Sequence, residues 1–207
     1  ADRRKAEYDY SFGRPSWFDL VQAEQKAARE DVGMIDYSML GKLMVEGRDA
    51  EQFLQRVCTN NMALKVGGIA YSLMLNERGG IERDVTIARH GKDAFMVMSS
   101  ISRTRRDRLH LQRHILPEED VRLRDVTSAL AVLAICGPKS RALLEKVSTV
   151  DTSNAAFPFN SWQRFHIGHA EIFAQRLSFT GELGWEIFVT PDFAEHVFDT
   201  LMDAGQD

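Results

Sequence analysis

The sequence predicts an α+β fold of two ferredoxin-like (split βαβ) units with antiparallel sheets. Two apolar stretches, residues 70–76 and 81–88, flank a Gly-bearing turn and indicate a β-hairpin. Amphipathic helical segments separate groups of strands along the chain. An internal repeat supplies the third observation. A shift of 90 residues places one set of four positions on another: Gly47, Phe53, Leu54 and Val57 on Gly137, Leu143, Leu144 and Val147.

The first predicted unit covers residues 19–125, after an N-terminal arm or linker at residues 1–18 that would connect it to a preceding domain. Asp49, with Gln52 three residues later, predicts a capping box at the start of a helix. The predicted elements follow in chain order: helix 19–30, strand 43–46, a helix from residue 49, the hairpin, strand 94–99, helix 102–115 and strand 121–125.

The second predicted unit covers residues 126–207 and is expected to be incomplete at its C-terminus, because an amphipathic stretch ends the chain. Pro138 predicts the first turn of a helix, where its missing N–H is harmless. The predicted elements are strand 130–136, helix 138–147, a loop at 148–163, strands across 165–179, a turn at 181–184, strand 185–189 and helix 193–202.

Composition excludes several classes of protein. The chain has 207 residues, of which 44% are hydrophobic and 27% are charged, so a disordered or fibrous protein is excluded. Because the net charge is −4, we predict no nucleic-acid partner. Because no apolar run is long enough to cross a bilayer, we predict no membrane partner. Cys58 and Cys136 lie among apolar neighbours, which favours a reducing compartment, either bacterial cytoplasm or the mitochondrial matrix.

Common catalytic motifs are absent from the sequence. It contains no dinucleotide, P-loop, nucleophile-elbow or zincin signature. His110 and His114, like His166 and His169, lack further ligands at metal-binding spacing, so we predict no metal site. The arginine-rich segment 103–113 could contact phosphates or an acidic partner, but nearby acids and the lack of interleaved aromatics favour a solvated face.

Two carboxylates stand in unusual places. Asp84 lies in the middle of a predicted strand, and a hairpin turn near Arg78 would bring Tyr71 roughly opposite it. Glu186 is the sole charged residue of an otherwise apolar strand, where an ionised carboxylate is costly without a partner. Each acid could simply face solvent or pair with Arg. Alternatively, Asp84 would form a reactive pair with Tyr71, and Glu186 would accept two parallel N–H bonds from a ligand.

Three motifs carry a family resemblance: GMIDYSM at residues 33–39, YSLMLNERGGIERD at 71–84 and TGELGWE at 180–186. Together they resemble the folate-binding domain of the aminomethyltransferase (glycine cleavage T-protein) superfamily. FGRPSWF at 12–18 and DTSNAAFPF at 151–159 are most similar to the branch that follows a flavin-dependent dimethylglycine or sarcosine dehydrogenase domain. The resemblance implies a T-protein-like folate-binding fold, truncated at its C-terminus.

The resemblance also implies roles for individual residues. Asp84 would be the catalytic acid beside the N5/N10 edge of tetrahydrofolate, where an iminium or formaldehyde equivalent is captured as 5,10-methylenetetrahydrofolate. Glu186 would bind the pterin ring, Tyr71 would shape the pocket, and Met39 would pack against the folate. Asn154 and Phe159 lie in a matching loop. Arg83 stands where many relatives have a first acid.

The resemblance leaves several functions open. The implied partners are folate, a one-carbon donor derived from a small N-methylated amine, and a flavin domain of the same polypeptide or complex, with FAD held only on a domain outside this chain. A stand-alone aminomethyltransferase, served by an aminomethyl-lipoyl carrier protein, is one alternative. A non-catalytic folate-binding module is another. The last alternative is a plain interaction domain, in which Asp84 and Glu186 would contact Arg side chains and face no cavity.

Overall fold

The computed structural model describes residue 10 and residues 12–206, so residues 1–9 and 11 of the predicted arm lie outside the described residues. The first half contains α1 (Phe18–Glu30), β1 (Gly33–Asp36), β2 (Gly41–Glu46), α2 (Ala50–Val57), β3 (Ile69–Leu75), β4 (Ile81–Gly91), β5 (Ala94–Ser99), α3 (Thr104–Arg113) and β6 (Arg122–Asp125). The second half contains β7 (Ala131–Cys136), α4 (Ser140–Val147), β8 (Trp162–Ile167), β9 (Ala170–Gln175), β10 (Gly184–Val189) and α5 (Pro191–Ala204). Short 3₁₀ helices precede α3 and β7.

The strands form two five-stranded sheets, in which every pair of neighbours is antiparallel. The first sheet has the order β3-β4-β5-β2-β6, and the second has the order β1-β7-β10-β9-β8. The predicted α+β class, with antiparallel sheets in two similar units, is therefore confirmed.

The sheets and helices form four layers, in the order helices, first sheet, second sheet, helices, and three apolar clusters fill the spaces between them. Phe53 of α2 and Leu111 of α3 pack on one face of the first sheet, and α4 and α5 pack in the same way on the second. The inner faces meet through a third cluster that includes Met96, Val132 and Phe188. Burial of each such side chain contributes about 1.5–3 kcal/mol. Because the inner faces meet, residues of β4 and β10 can share one site.

The internal repeat is visible in the backbone. Gly47 and Gly137 end equivalent strands, β2 and β7, with φ values of 137° and 123°. The carbonyl of Gly47 accepts a bond of 3.1 Å from the amide of Ala50, and that of Gly137 accepts one of 3.0 Å from Ser140. Each glycine thus sets the same strand-to-helix turn, which explains why a glycine recurs at this position of the repeat.

Strand β1 lies in the sheet of the other predicted unit. It pairs with β7, on the side opposite β10, just as β6 pairs with β2 on the side opposite β5. The edge position that β6 fills in the first sheet is therefore filled in the second by residues from the start of the chain. The predicted units 19–125 and 126–207 share a strand in this way.

Two local expectations were wrong, and one strand was missed. The Asp49 side chain does not cap α2, because its carboxylate accepts bonds from Arg48 and from the backbone amide of Asp120. Helix α4 begins at Ser140, so Pro138 precedes its first turn, and the turn at Gly137 determines where the helix starts. Strand β1 was not predicted, because four residues are too few to show a clear alternation.

Candidate functional site

A cavity of about 260 Å³ lies where the inner faces of the two sheets meet. Strands β3, β4 and β5 supply one wall, β10 supplies another, and the segments after β1 and before β10 complete it. The lining residues are Tyr37, Leu40, Tyr71, Asp84, Val85, Thr86, Met98, Ser99, Ser100, Phe179 and Glu186. Three predicted site residues, Asp84, Glu186 and Tyr71, are thus brought together from separate parts of the chain.

Asp84 and Tyr71 form a hydrogen-bonded pair on the hairpin. The Tyr71 hydroxyl donates to Asp84 Oδ2 at 3.3 Å, although Tyr71 lies directly opposite Thr86 and only diagonal to Asp84. Burial, followed by the Asp84 charge, raises the pKa of Tyr71, so the phenol stays protonated at neutral pH and can donate. The predicted contact was right, and the predicted register was wrong by two residues.

A β-bulge explains this geometry. Leu75 pairs with Ile81, but Met74 pairs with Arg83, so one extra residue enters β4 at Glu82. Without the bulge, continuation of the Leu75 register would place Tyr71 opposite Val85 and on the other face from Asp84. The bulge therefore brings the phenol and the carboxylate to the same face, toward the cavity.

Glu186 is a buried carboxylate that has no partner among the described residues. Every residue of β10 is buried, and Glu186 is only 2% exposed. Its Oε1 atom has no hydrogen-bond partner in the part of the chain that the structure describes, and burial raises the pKa of the carboxyl to about 7. A group of this kind is costly unless it is protonated or receives donors from a ligand. Since it faces the cavity, a ligand can supply those donors.

The expectation for a plain interaction domain, that arginines neutralise both acids, is wrong. In the described part of the chain neither Asp84 nor Glu186 forms an ion pair, and both line the cavity. Arg83, next to Asp84, instead reaches Asp107 of α3, where its Nε donates to Oδ2 at 3.0 Å. The same oxygen accepts a bond of 2.7 Å from Ser99, so this buried pair holds a wall of the cavity.

A buried lysine holds the segment after β1. Lys42 is fully buried, and its Nζ donates to the carbonyls of Ser38 and Leu40 at 3.0 and 2.8 Å. Burial lowers the pKa of this amine. The backbone of Tyr37 is fixed as well, because its amide donates to Val132 of β7 at 2.8 Å. These bonds place Tyr37 and Leu40 in the cavity wall.

The remaining predicted residues lie outside the cavity lining. Met39 is next to Leu40 but 61% exposed, and Phe159 is 66% exposed on its loop. The Asn154 side-chain oxygen accepts bonds from Arg141 and Arg176 at 3.0 and 2.7 Å, so it serves the loop structure. Contact of these three residues with a ligand stays a prediction.

Several lining residues were missed in the sequence. Tyr37 lies inside one of the motifs that carry the resemblance, and Phe179 directly precedes another, so those motifs contained a usable signal. Burial, and then the Glu186 charge, raises the pKa of Tyr37. Thr86, Met98 and Ser100 join the wall only because the sheets meet there, which no local pattern reveals.

The fold and the site together define a class: an α+β domain with a cavity between two antiparallel sheets, into which the buried Glu186 carboxylate faces without an ion pair to any described residue. The family described as GCVT N-terminal domain matches residues 4–207. The chain belongs to this family, and the resemblance found in the motifs is confirmed.

Sequence identity to two curated proteins supports this assignment. The chain is 40% identical over 200 residues to 4-methylaminobutanoate oxidase (formaldehyde-forming) of Paenarthrobacter nicotinovorans, covering 97% of this chain and 24% of that protein. It is 32% identical over 202 residues to mitochondrial dimethylglycine dehydrogenase of Rattus norvegicus, with coverage of 97% and 24%. It therefore spans about a quarter of the length of these curated relatives.

A solved structure agrees with the fold. Glycine cleavage system aminomethyltransferase T from Bartonella henselae superposes with a TM-score of 0.75 at 27% identity, covering 88% of this chain and 48% of that one. The chain is thus an aminomethyltransferase-like domain related to oxidases and dehydrogenases of N-methylated amines. Within the described residues, no helix is both long and apolar enough to cross a membrane.

Proposed function

We propose that the chain is the tetrahydrofolate-binding, one-carbon-transferring domain of a dimethylglycine or sarcosine dehydrogenase-like enzyme. The observation that carries this proposal is the unpartnered carboxylate of Glu186, which faces a cavity whose opposite wall holds the Asp84–Tyr71 pair. The names of the relatives, an oxidase that forms formaldehyde, a dimethylglycine dehydrogenase and an aminomethyltransferase, support the same chemistry.

The residues of the cavity fit the pterin end of folate. A pterin presents adjacent N–H donors, and a carboxylate accepts such a pair in parallel bonds. Tyr37, Phe179 and Met98 offer apolar surface for a planar ring. Sites for whole ligands occupy about 300–1,000 Å³. The cavity here, at about 260 Å³, therefore suits the bicyclic ring and leaves the rest of the ligand outside it.

Asp84 has the position of a proton acceptor. Tetrahydrofolate, when bound, supplies two amine nitrogens that take up the one-carbon unit of an iminium or formaldehyde equivalent. Asp84 could accept at Oδ1 a proton released by a folate nitrogen, while Oδ2 receives the Tyr71 hydrogen bond. The oxygen of a formaldehyde equivalent would leave as water, or the nitrogen of an iminium would leave as the free amine. A carboxylate at this position would also stabilise positive charge that develops beside it.

The preceding oxidation belongs to another part of the enzyme in this proposal. The chain has no nucleotide-binding signature. The two relatives that match 97% of the chain are about four times as long as it is. We therefore place the flavin, and removal of the hydride from the N-methyl group, on a domain outside this chain. The activity of the larger enzyme as a whole is part of the proposal.

The test is a calorimetric titration with 5-formyltetrahydrofolate, a stable folate. We expect Glu186→Gln to weaken binding roughly tenfold or more, because a charge-assisted bidentate contact is lost. Since the bound form of Glu186 is ionised, and burial raises its pKa to about 7, affinity for the unsubstituted chain should rise roughly tenfold from pH 6 to pH 8.

Two further variants sharpen this test. Glu171→Gln changes an exposed glutamate of β9 that pairs with Arg164, and it should leave folate binding unchanged at every pH. Asp84→Asn should weaken binding much less than Glu186→Gln, which would place that acid in chemistry. Absence of binding at saturating folate, or equal affinity of the chain and Glu186→Gln, would refute the proposal.

A further inference from the structure

Gln175 of β9 lies directly opposite Glu186 of β10 in the second sheet. Residues paired in this way point to the same face of a sheet, with their Cβ atoms about 4.5–5.5 Å apart. Gln175 therefore faces the first sheet, and its Nε2 atom donates to the sulfur of Met98, in the cavity wall, at 3.3 Å. Its side chain is fully buried and does not itself line the cavity. Gln175 is thus placed to act on Glu186, and through it on a ligand.

The two opposed side chains share one deficiency. The Oε1 atoms of Gln175 and Glu186 are both buried, and both lack a hydrogen-bond donor among the described residues. The Gln175 amide donates only to a thioether sulfur, which is a weak acceptor. A buried polar group without a partner is costly. A bond between these two side chains would remove the cost for both.

An amide can bond to a carboxyl group in either protonation state. A protonated Glu186 has an O–H group that can donate to Oε1 of Gln175. An ionised Glu186 has acceptors only, and a half-turn of the Gln175 amide about its last side-chain bond presents Nε2–H to it. A hydrogen bond to an ionised acceptor is roughly twice as strong as a bond between neutral groups. Gln175 therefore favours the ionised form overall.

No lysine or arginine of the described chain lines the cavity or the small recess behind Glu186. The titratable groups that line these two spaces with Glu186 are Tyr37, Tyr71, Asp84 and Cys136. None of them brings positive charge to the carboxylate. The hydroxyl groups of the recess, on Ser178 and Thr180, bond to each other at 2.7 Å. Stabilisation of an ionised Glu186 by the cavity walls must therefore come from a neutral donor, and the Gln175 amide lies directly opposite it.

We propose that Gln175 is a positioning residue for Glu186: its amide accepts the carboxyl proton in the free domain and turns to donate to the carboxylate when a ligand with adjacent N–H donors binds. The part of this inference that concerns folate rests on the function proposed above. A carboxylate has about four lone-pair positions, so it can accept two bonds from a pterin and one from Gln175. The proton of Glu186 leaves to solvent as the ligand binds.

The first test follows Glu186 in the free chain by carboxyl ¹³C NMR from about pH 4 to about pH 9, with its signal assigned by its absence in Glu186→Gln. Gln175→Met keeps the length of the side chain and removes the amide. The midpoint of the Glu186 titration should rise by about one pH unit in this variant, because the stronger bond is the one lost.

Gln163→Met is the matched control. It makes the same change in the same sheet, but Gln163 pairs with Ala174 on the face that the helices cover. The Glu186 midpoint should not move in this variant. A second measurement leaves Gln175 in place: its side-chain ¹⁵N–¹H signals should titrate with the Glu186 midpoint in the unsubstituted chain and stay constant in Glu186→Gln.

The affinity for 5-formyltetrahydrofolate supplies a third measurement. Gln175→Met should bind roughly fivefold more weakly at pH 7, and this difference should vanish by about pH 9, where Glu186 is ionised in both proteins. An equal loss at every pH, an unmoved Glu186 midpoint in Gln175→Met, or Gln175 signals that ignore Glu186 would overturn the inference. If the unsubstituted chain binds no folate, the proposed function fails, and the two NMR titrations still decide the role of Gln175.

Discussion

Glu186 should make the stability of the chain depend on pH in an unusual direction. The carboxyl has an ordinary pKa of 4.5, and burial raises it to about 7 in the folded state. Between these values the unfolded chain loses the proton while the folded chain keeps it. The free energy of unfolding contributed by this group therefore falls as pH rises from about 4.5 to about 7, by about 3 kcal/mol in all.

Glu186→Gln isolates this effect, because glutamine keeps the shape and cannot ionise. The free energy of unfolding should be measured in urea at pH 5 and at pH 8 for both proteins. The value for the variant, relative to that of the unsubstituted chain, should be about 2–3 kcal/mol higher at pH 8 than at pH 5. Other titrating groups are common to both proteins and cancel in the difference. Glu171→Gln, at an exposed position, should show no such gain. An identical difference at pH 5 and pH 8 would contradict the burial argument.

Individual site residues differed in how well the sequence could predict them. Asp84 and Glu186 could be singled out because a carboxylate in an apolar strand is costly, and this cost is readable from neighbours in the sequence. Lys42 could not, because its burial depends on the carbonyls of Ser38 and Leu40, which a tertiary turn supplies. Asn154 was placed by resemblance alone, and its contacts with Arg141 and Arg176 required the folded loop.

At the level of elements, long periodic segments were predicted well. Helix α1, the β3–β4 hairpin and strand β5 lie within a few residues of their predicted limits, because their apolar faces repeat clearly. The bulge at Glu82 escaped prediction, since an extra residue in a strand changes the pairing and leaves the composition the same. It nevertheless determines whether Tyr71 can reach Asp84.

The two strand-to-helix turns offer a test of the repeat. A Cβ atom at Gly47 would lie 2.0 Å from the carbonyl oxygen of Asp120, and one at Gly137 would lie 2.3 Å from that of Asp31. Both positions also have positive φ. We expect Gly47→Ala and Gly137→Ala each to lower the free energy of unfolding by about 3 kcal/mol or more, measured by urea unfolding.

Gly79→Ala is the control for this test, because Gly79 has a φ of 77° but a Cβ atom there would meet no other atom within 4 Å. It should carry only the backbone strain, about 1 kcal/mol. If all three substitutions lowered the free energy of unfolding equally, the positive φ alone would account for the loss. The close approach of the Asp120 and Asp31 carbonyls would then not explain why a glycine recurs at these positions.

At the scale of the whole molecule, strand β1, which pairs with β7 in the second sheet, is expected to unfold together with that sheet. Leu54 and Leu144 occupy equivalent positions of the repeat, are both fully buried, and belong to the clusters beneath the first and second sheets respectively. Replacing either with Ala removes about 2–5 kcal/mol. Because β1 bonds to β7, Leu144→Ala should lower the hydrogen-exchange protection of amides in β1 and β7 together.

Leu54→Ala should instead lower protection in β2 and β6, with a smaller effect on β1, although β1 and β2 are separated by only four residues. Amide exchange followed by mass spectrometry or NMR distinguishes these regions. If β1 follows Leu54→Ala, it belongs energetically to the first unit despite its pairing. If it follows Leu144→Ala, the loop at residues 37–40 joins two units that open separately, and the cavity between them, which that loop helps to line, depends on both being closed.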